Sequence, residues 1–215
     1  MNLPNKITIS RIILIFGLII AMFVLALIPD FTAKTIGNSG INVVYLVFTC
    51  IFIAAAFTDM LDGKIARKFN LVTDLGKFLD PIADKLLNDA MMIFILVPQA
   101  YAPLQRSDSR MLTILAICVV LMITRDLIVD ALRLVAVKKN IVIAANIFGK
   151  AKTVLQMIAI PMLLLNDWPF SYFDSAWDPS LQISNWFFYA ATIMSIVSGI
   201  IYVYQNRKVF KEFSK

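Results

Sequence analysis

Residues 57–85 read FTDMLDGKIARKFNLVTDLGKFLDPIADK, five aspartates and five basic residues set into an otherwise apolar chain. Asp59, Asp62, Gly63, Ala66 and Arg67 come first, and after eight further residues Gly76, Asp80 and Asp84 follow at intervals of four. Positions three and four apart share a helical face, so Asp59, Asp62 and Ala66 line one stripe and Gly76, Asp80 and Asp84 a second. A turn near residues 70–73 is expected to fold the two helices into an antiparallel pair. Four carboxylates then converge beside Gly63 and Gly76, which have no side chain, in a pocket suited to cations.

The rest of the chain is built for a bilayer. Of 215 residues, 60% are hydrophobic and 16% charged, with a mean hydropathy of +0.81, which is not the balance of a soluble domain. A spanning helix needs ~20 mostly apolar residues, and six stretches approach this, at about 7–28, 41–66, 75–97, 111–136, 149–166 and 186–205. The expected fold is all-α: a polytopic membrane protein with six transmembrane helices in one domain spanning 1–215. The first stretch is read as a retained helix rather than a signal peptide, because no small-x-small cleavage site follows it. Cys50 and Cys118 fall inside apolar spans and are read as small buried hydrophobes.

Threaded with the amino terminus inside, the six spans leave 17 of the 20 Lys and Arg residues on or near the cytoplasmic side, with only Lys34, Arg106 and Arg110 outside. Both termini and the aspartate cluster are thus expected at the cytoplasmic face of a cell membrane. The segment 166–186 carries three tryptophans and no Lys or Arg, as an outer interfacial loop does. No nucleic-acid partner is expected.

An Asp, Lys or Arg at mid-membrane costs ~2.5–3.5 kcal/mol on insertion scales, so aspartates in helical spans need metal, partners or water. A lone aspartate is read as solvated at the interface. Four in register with two glycines are read as a site.

Asp59-x2-Asp62-Gly63-x2-Ala66-Arg67-x8-Gly76-x3-Asp80-x3-Asp84 resembles the signature of the CDP-alcohol phosphotransferases, with all eight positions present. The resemblance implies that family's fold of six membrane helices, a divalent-metal site at the cytoplasmic face, and transfer of a phosphatidyl or similar group from a CDP-linked donor to an alcohol, with CMP leaving. It also implies a homodimer. A pyrophosphate donor calls for hard cations held by oxygen, Mg2+ or Mn2+, and two such ions ~3.5–4 Å apart would stabilise both entering and leaving oxygens. Asp59, Asp62 and Asp80 are the expected ligands. The chain has no histidine, and by resemblance Asp84 is the base that activates the acceptor hydroxyl and a further metal contact. Asp62, Gly63, Ala66, Arg67 and Gly76 are expected to bind the donor: the glycines admit close approach of the nucleotide, and Arg67 forks onto phosphate. Close helix packing uses the same small residues.

A second constellation, Arg125, Arg133 and Lys150, lies at the cytoplasmic ends of spans four and five. Three cations that CDP does not need suggest a second anion, the phosphate of a phosphorylated acceptor. The sequences RDLIVDALR and IAANIFGKAKTVLQ, with the opening MNLPNKITISRI, resemble the phosphatidylglycerophosphate synthase branch of the family, with Asp126 where that pattern has glutamate. On that resemblance Arg125, Arg133 and Lys150 bind glycerol-3-phosphate, and the donor is CDP-diacylglycerol, its tails among the membrane lipids. For Lys138, Lys139, Arg207, Lys208, Lys211 and Lys215 this use and contact with lipid headgroups both stay open. Two alternatives stay open: a relative taking inositol phosphate, serine or phosphatidylglycerol as acceptor, and a divalent-cation transporter, which the fixed cations oppose.

Overall fold

The computed structural model describes residues 3–28, 34, 36–37, 41–68, 74–96, 109–138, 146–174 and 176–205; within its helices the side chains at 3–7, 23, 26, 60–68, 74–75, 77–78 and 137–138 lie outside that description. The described elements are α1 (Leu3–Leu27), α2 (Val43–Lys68), α3 (Asp74–Leu96), α4 (Ser109–Lys138), α5 (Ile147–Leu164), α6 (Ser171–Asp174), a 3-10 turn (Pro179–Leu181) and α7 (Ile183–Gln205). The fold among the described residues is thus all-helical, and six of these helices coincide to within a turn with the six expected stretches. The turn expected at 70–73 lies outside the described residues.

Among the described residues, three of the six expected spans are long and apolar enough to cross a membrane: Ser109–Ala136, Ile147–Leu164 and Ile183–Gln205. The described apolar stretches of α1 and α2 are Thr8–Met22 and Val43–Asp59, each followed by a side chain outside the description. Helix α3 is outside both groups, because Asp80, Asp84, Lys85, Asn88 and Asp89 break its apolar run. Its polarity is the property that makes it a site candidate.

The chain divides into two compact units, Met1–Gln105 with Leu163–Trp168, and Arg106–Met162 with Pro169–Lys215. In the first, α1 packs on α2 and α3, and α2 on α3. Each helix buries a stripe of three- and four-residue spacing: Thr8, Arg11, Ile15 and Leu18 on α1; Phe48, Phe52 and Ala55 on α2; Ala83, Leu87, Met91 and Phe94 on α3. The Phe94 ring meets Tyr45 and Phe48 edge-on at centroid distances of 5.3 and 4.6 Å. Since Phe94 ends α3 while Tyr45 begins α2, the pair is antiparallel, as expected. The polar ends of α1, α2 and α3 therefore gather at one end of the unit.

Asn42 starts α2, its buried side chain accepting from the Val44 amide at 2.8 Å, the role of an N-cap. Before it, Ile36 N–H donates to Ile41 O at 2.9 Å and Val43 N–H to Lys34 O at 3.1 Å. Gly37, at φ +52°, supplies the left-handed turn these bonds require.

In the second unit α4 and α7 form the main pair. Met111, Leu115, Val119, Met122, Val129, Leu132 and Ala136 of α4 are buried, as are Phe188, Ala191, Thr192, Ser195, Ser198, Gly199 and Tyr202 of α7. The seam on α7 is made of small residues, Ala191, Ser195 and Gly199 recurring every four positions, which lets two membrane helices approach closely. Asn146 caps α5 through a 3.2 Å bond from the Phe148 amide, and buried Asp174 caps α7, accepting from Ile183 N at 2.9 Å. Asp178 accepts from the Ser180 hydroxyl at 2.6 Å and amide at 2.9 Å, bonds that hold its carboxyl below the ordinary value. Trp177 and Trp186 of this unit are exposed, as is Trp168 of the first.

Candidate active site

Within the first unit, α1 carries two polar side chains one helical turn apart to two of the expected carboxylates. The Thr8 hydroxyl donates to Asp80 Oδ1 at 2.7 Å, and the Arg11 guanidinium pairs with Asp59 Oδ1. The Arg11 side chain is 3% exposed and that of Asp59 40%, so the cation is buried while its carboxylate still faces outward. Asp59 on α2 and Asp80 on α3 are thereby tied to one face of one neighbouring helix.

Asp84 lies one turn beyond Asp80 on α3 and is half-buried. Buried Asn88, a further turn along, donates through Nδ2 to the Asp84 carbonyl at 3.0 Å and to its Oδ1 at 3.2 Å. That fixes the carboxylate's rotamer. Gly76 is buried on the same helix. Asp62, Gly63, Ala66 and Arg67 belong to the helical backbone of α2, and their side chains lie outside the described residues.

The oxygen groups on the polar ends of these helices are the Asp59, Asp80 and Asp84 carboxylates and the Thr8 hydroxyl. Their chemistry fits a hard divalent cation such as Mg2+ or Mn2+. Among the described residues no group of three acidic side chains encloses an ion position, and Arg11 provides the positive charge at Asp59.

The second unit holds the expected acceptor cations, and it treats the three differently. Arg125 lies in the α4–α7 seam with its side chain 17% exposed. Its Nη1 donates to Asp126 Oδ1 at 2.8 Å and its Nη2 to Ser198 Oγ at 2.6 Å. Asp126 Oδ2 accepts in turn from the buried Lys152 ammonium. Two cations share one carboxylate, so this group of three carries a net charge of +1. The Arg125 Nε is buried and has no hydrogen-bond partner among the described residues.

Arg133 is exposed two turns along α4, its guanidinium carbon 6.0 Å from the centre of the Tyr202 ring, at the edge of cation–π range. Lys150 is exposed on the first turn of α5. Neither joins the Arg125 group. An apolar groove of about 570 Å³ runs between α4 and α7 beside Arg125, lined by Leu121, Ile128, Val129, Ile196, Ile200 and Val203 among others.

On the sequence alone Arg11 and Lys152 stand among the cytoplasmic charges, Lys152 also within the stretch IAANIFGKAKTVLQ, while Thr8, Asn88, Ser198 and Gly199 carry no assigned role. For Thr8 and Arg11 a signal was present, two polar residues three apart in an apolar helix. For Lys152 it was the spacing of Gly149, Lys152 and Gln156, one face of α5, of which the last two are buried. For Gly199 it was the four-residue recurrence of small residues on α7, and Ser198 directly precedes it.

The model of a family described as CDP-alcohol phosphatidyltransferase matches residues 1–197. The chain is 40% identical over 211 residues, 98% of its length and 97% of the relative's, to a Bacillus subtilis protein named CDP-diacylglycerol–glycerol-3-phosphate 3-phosphatidyltransferase. A Mycoplasma pneumoniae protein of the same name is 34% identical, covering 98% of this chain and 89% of that one. An Arabidopsis thaliana protein, the second so named in that plant, is 35% identical across 78% of this chain and 68% of its own length.

Proposed function

The chain belongs to the CDP-alcohol phosphatidyltransferase family, and from that membership we propose that it transfers the phosphatidyl group of CDP-diacylglycerol to sn-glycerol-3-phosphate, releasing CMP in phospholipid synthesis. The donor class follows from the family, and the acceptor from the names of its relatives. The observation that carries the acceptor within this chain is the Arg125–Asp126–Lys152 group, whose surplus positive charge and guanidinium fork suit a phosphate.

Asp59, Asp62, Asp80 and Asp84 would hold one or two Mg2+ or Mn2+ ions. When bound, these supply positive charge to the pyrophosphate and to the leaving phosphate oxygen. Asp84, oriented by Asn88, takes the proton of the acceptor's primary hydroxyl. That oxygen bonds to the lipid-bearing phosphorus, the bond to the bridging oxygen breaks, and CMP departs with the electron pair. Arg67 and the positions without bulk, Gly63, Ala66 and Gly76, hold the nucleotide; Arg125, Arg133 and Lys150 hold the acceptor phosphate. The Lys and Arg distribution supports a multi-pass protein with this chemistry on the cytoplasmic side of the cell membrane, and the homodimer remains part of the reading.

Purified protein in detergent, supplied with CDP-diacylglycerol, Mg2+ and glycerol-3-phosphate, is expected to release CMP. Inositol phosphate, serine and phosphatidylglycerol, offered in competition against the same donor, are expected to be poor acceptors. Silence with glycerol-3-phosphate across several detergents and both metals would remove the proposal, and preference for another acceptor would reassign the Arg125 group.

A further inference from the structure

An arginine inside a helix–helix seam needs room, and α7 provides it in a specific shape. A Cβ on Gly199 would stand 2.8 Å from Arg125 Cγ, closer than packed side chains tolerate, and 3.4 Å from its Nε. A Cβ on Gly149 of α5 would lie 3.2 Å from Ser198 Oγ and 3.8 Å from Arg125 Nη2. The stem of Arg125 is thus pressed along the backbone of α7 at Gly199, and its head is held by Ser198 Oγ at 2.6 Å and Asp126 at 2.8 Å. Ser198 is fully buried, so no solvent competes for that bond. Asp126 is itself held by Lys152, which divides its pull on the guanidinium.

We infer that Ser198 and Gly199 are positioning residues for Arg125, fixing its guanidinium for the phosphate of the acceptor; this rests on the acceptor reading above. An arginine has many rotamers, and its fork binds phosphate well only when already set. The small pair on α7 sets it, one residue by shape and the other by a hydrogen bond. Specificity for a phosphorylated acceptor then depends on α7 as well as on the helix that carries the arginine.

A double-mutant cycle tests the assignment. Equilibrium binding of glycerol-3-phosphate to purified protein, and KM for both substrates, are measured for wild type, Ser198→Ala, Arg125→Ala and the double variant. Ser198→Ala should weaken glycerol-3-phosphate about fivefold, the equivalent of ~1 kcal/mol, leave the KM for CDP-diacylglycerol unchanged, and add nothing once Arg125 is alanine. Gly199→Ala should lower the unfolding temperature and acceptor affinity together, and Arg125→Ala should relieve the loss of stability by vacating the space the new methyl needs. If Arg125→Ala weakens the acceptor but Ser198→Ala does not, or if the Ser198 effect persists in full without Arg125, the positioning role is overturned and the acceptor reading stands. If Arg125→Ala leaves acceptor binding unchanged, both fall.

Discussion

The Thr8 hydroxyl donates to Asp80 Oδ1 at 2.7 Å across 72 residues of sequence. A carboxylate that accepts such a bond has its orientation set before any cation arrives, and loss of an orienting partner of this kind costs ~10- to 100-fold in metal affinity or activity. Thr8→Val, nearly the same in shape, should therefore lower CMP release by about that factor at limiting Mg2+ and recover as Mg2+ is raised, while Thr8→Ser stays near wild type. A uniform fall in kcat with unchanged Mg2+ dependence would make Thr8 a packing residue only.

Arg11 makes the opposite contribution at Asp59, since it supplies the charge that a metal would otherwise bring. Arg11→Gln leaves the carboxylate without its cation, so the variant should be destabilised in EDTA and show a larger rise in unfolding temperature on adding Mg2+ than wild type. With Asp59 partly exposed, the loss in EDTA should be about 1 kcal/mol or less. An identical Mg2+ response in both proteins would separate Arg11 from the metal site.

Asp59→Asn and Asp80→Asn should each abolish turnover while leaving a folded protein, because a lost carboxylate lowers cation affinity and a neutral side chain inserts into the bilayer more readily. Activity measured across a Mg2+ titration, beside an unfolding curve, tests this. Normal turnover at limiting Mg2+ would take that residue out of the metal set.

The two helices that bear the aspartates were legible because their chemistry is local: Asp59, Asp62 and Ala66, or Gly76, Asp80 and Asp84, announce a helical face by spacing alone. What Thr8 and Arg11 touch was not legible, because the helix that supplies them is separated from Asp59 and Asp80 by 48 and 72 residues, and no local pattern says which neighbour it packs against. Lys152 shows the same limit from another side. Its neighbour Lys150 has equal charge, and only the direction each takes around α5 makes one buried on Asp126 and the other exposed. Helix α3 was expected among the six spans as a nearly apolar stretch, yet its carboxylates and Lys85 keep it outside the apolar set, so the residues that mark it as a site also weaken its reading as a span.

The three cations of the second unit should not contribute equally to acceptor binding. Arg125 is mostly buried, tied to Asp126 and Ser198, and shielded from salt; Arg133 and Lys150 are exposed, and an exposed charge pair is worth ~0–1 kcal/mol and is screened as ionic strength rises. A charged hydrogen bond from a set, desolvated donor is worth ~1.5–3 kcal/mol. Arg125→Ala should therefore lower kcat/KM for glycerol-3-phosphate by roughly 10- to 150-fold, with the KM for CDP-diacylglycerol nearly unchanged. Arg133→Ala and Lys150→Ala should cost about fivefold or less at low salt, and their effects should shrink in high salt while that of Arg125→Ala persists. Glycerol, which has no phosphate, should be a poor acceptor for wild type and lose little more in any of the three. Kinetics with both acceptors at two ionic strengths measure all of this at once. Equal losses for glycerol and glycerol-3-phosphate would assign the cations to the fold or the donor, and a salt-sensitive Arg125 effect would mean that its guanidinium reaches the phosphate through open solvent rather than from the seam.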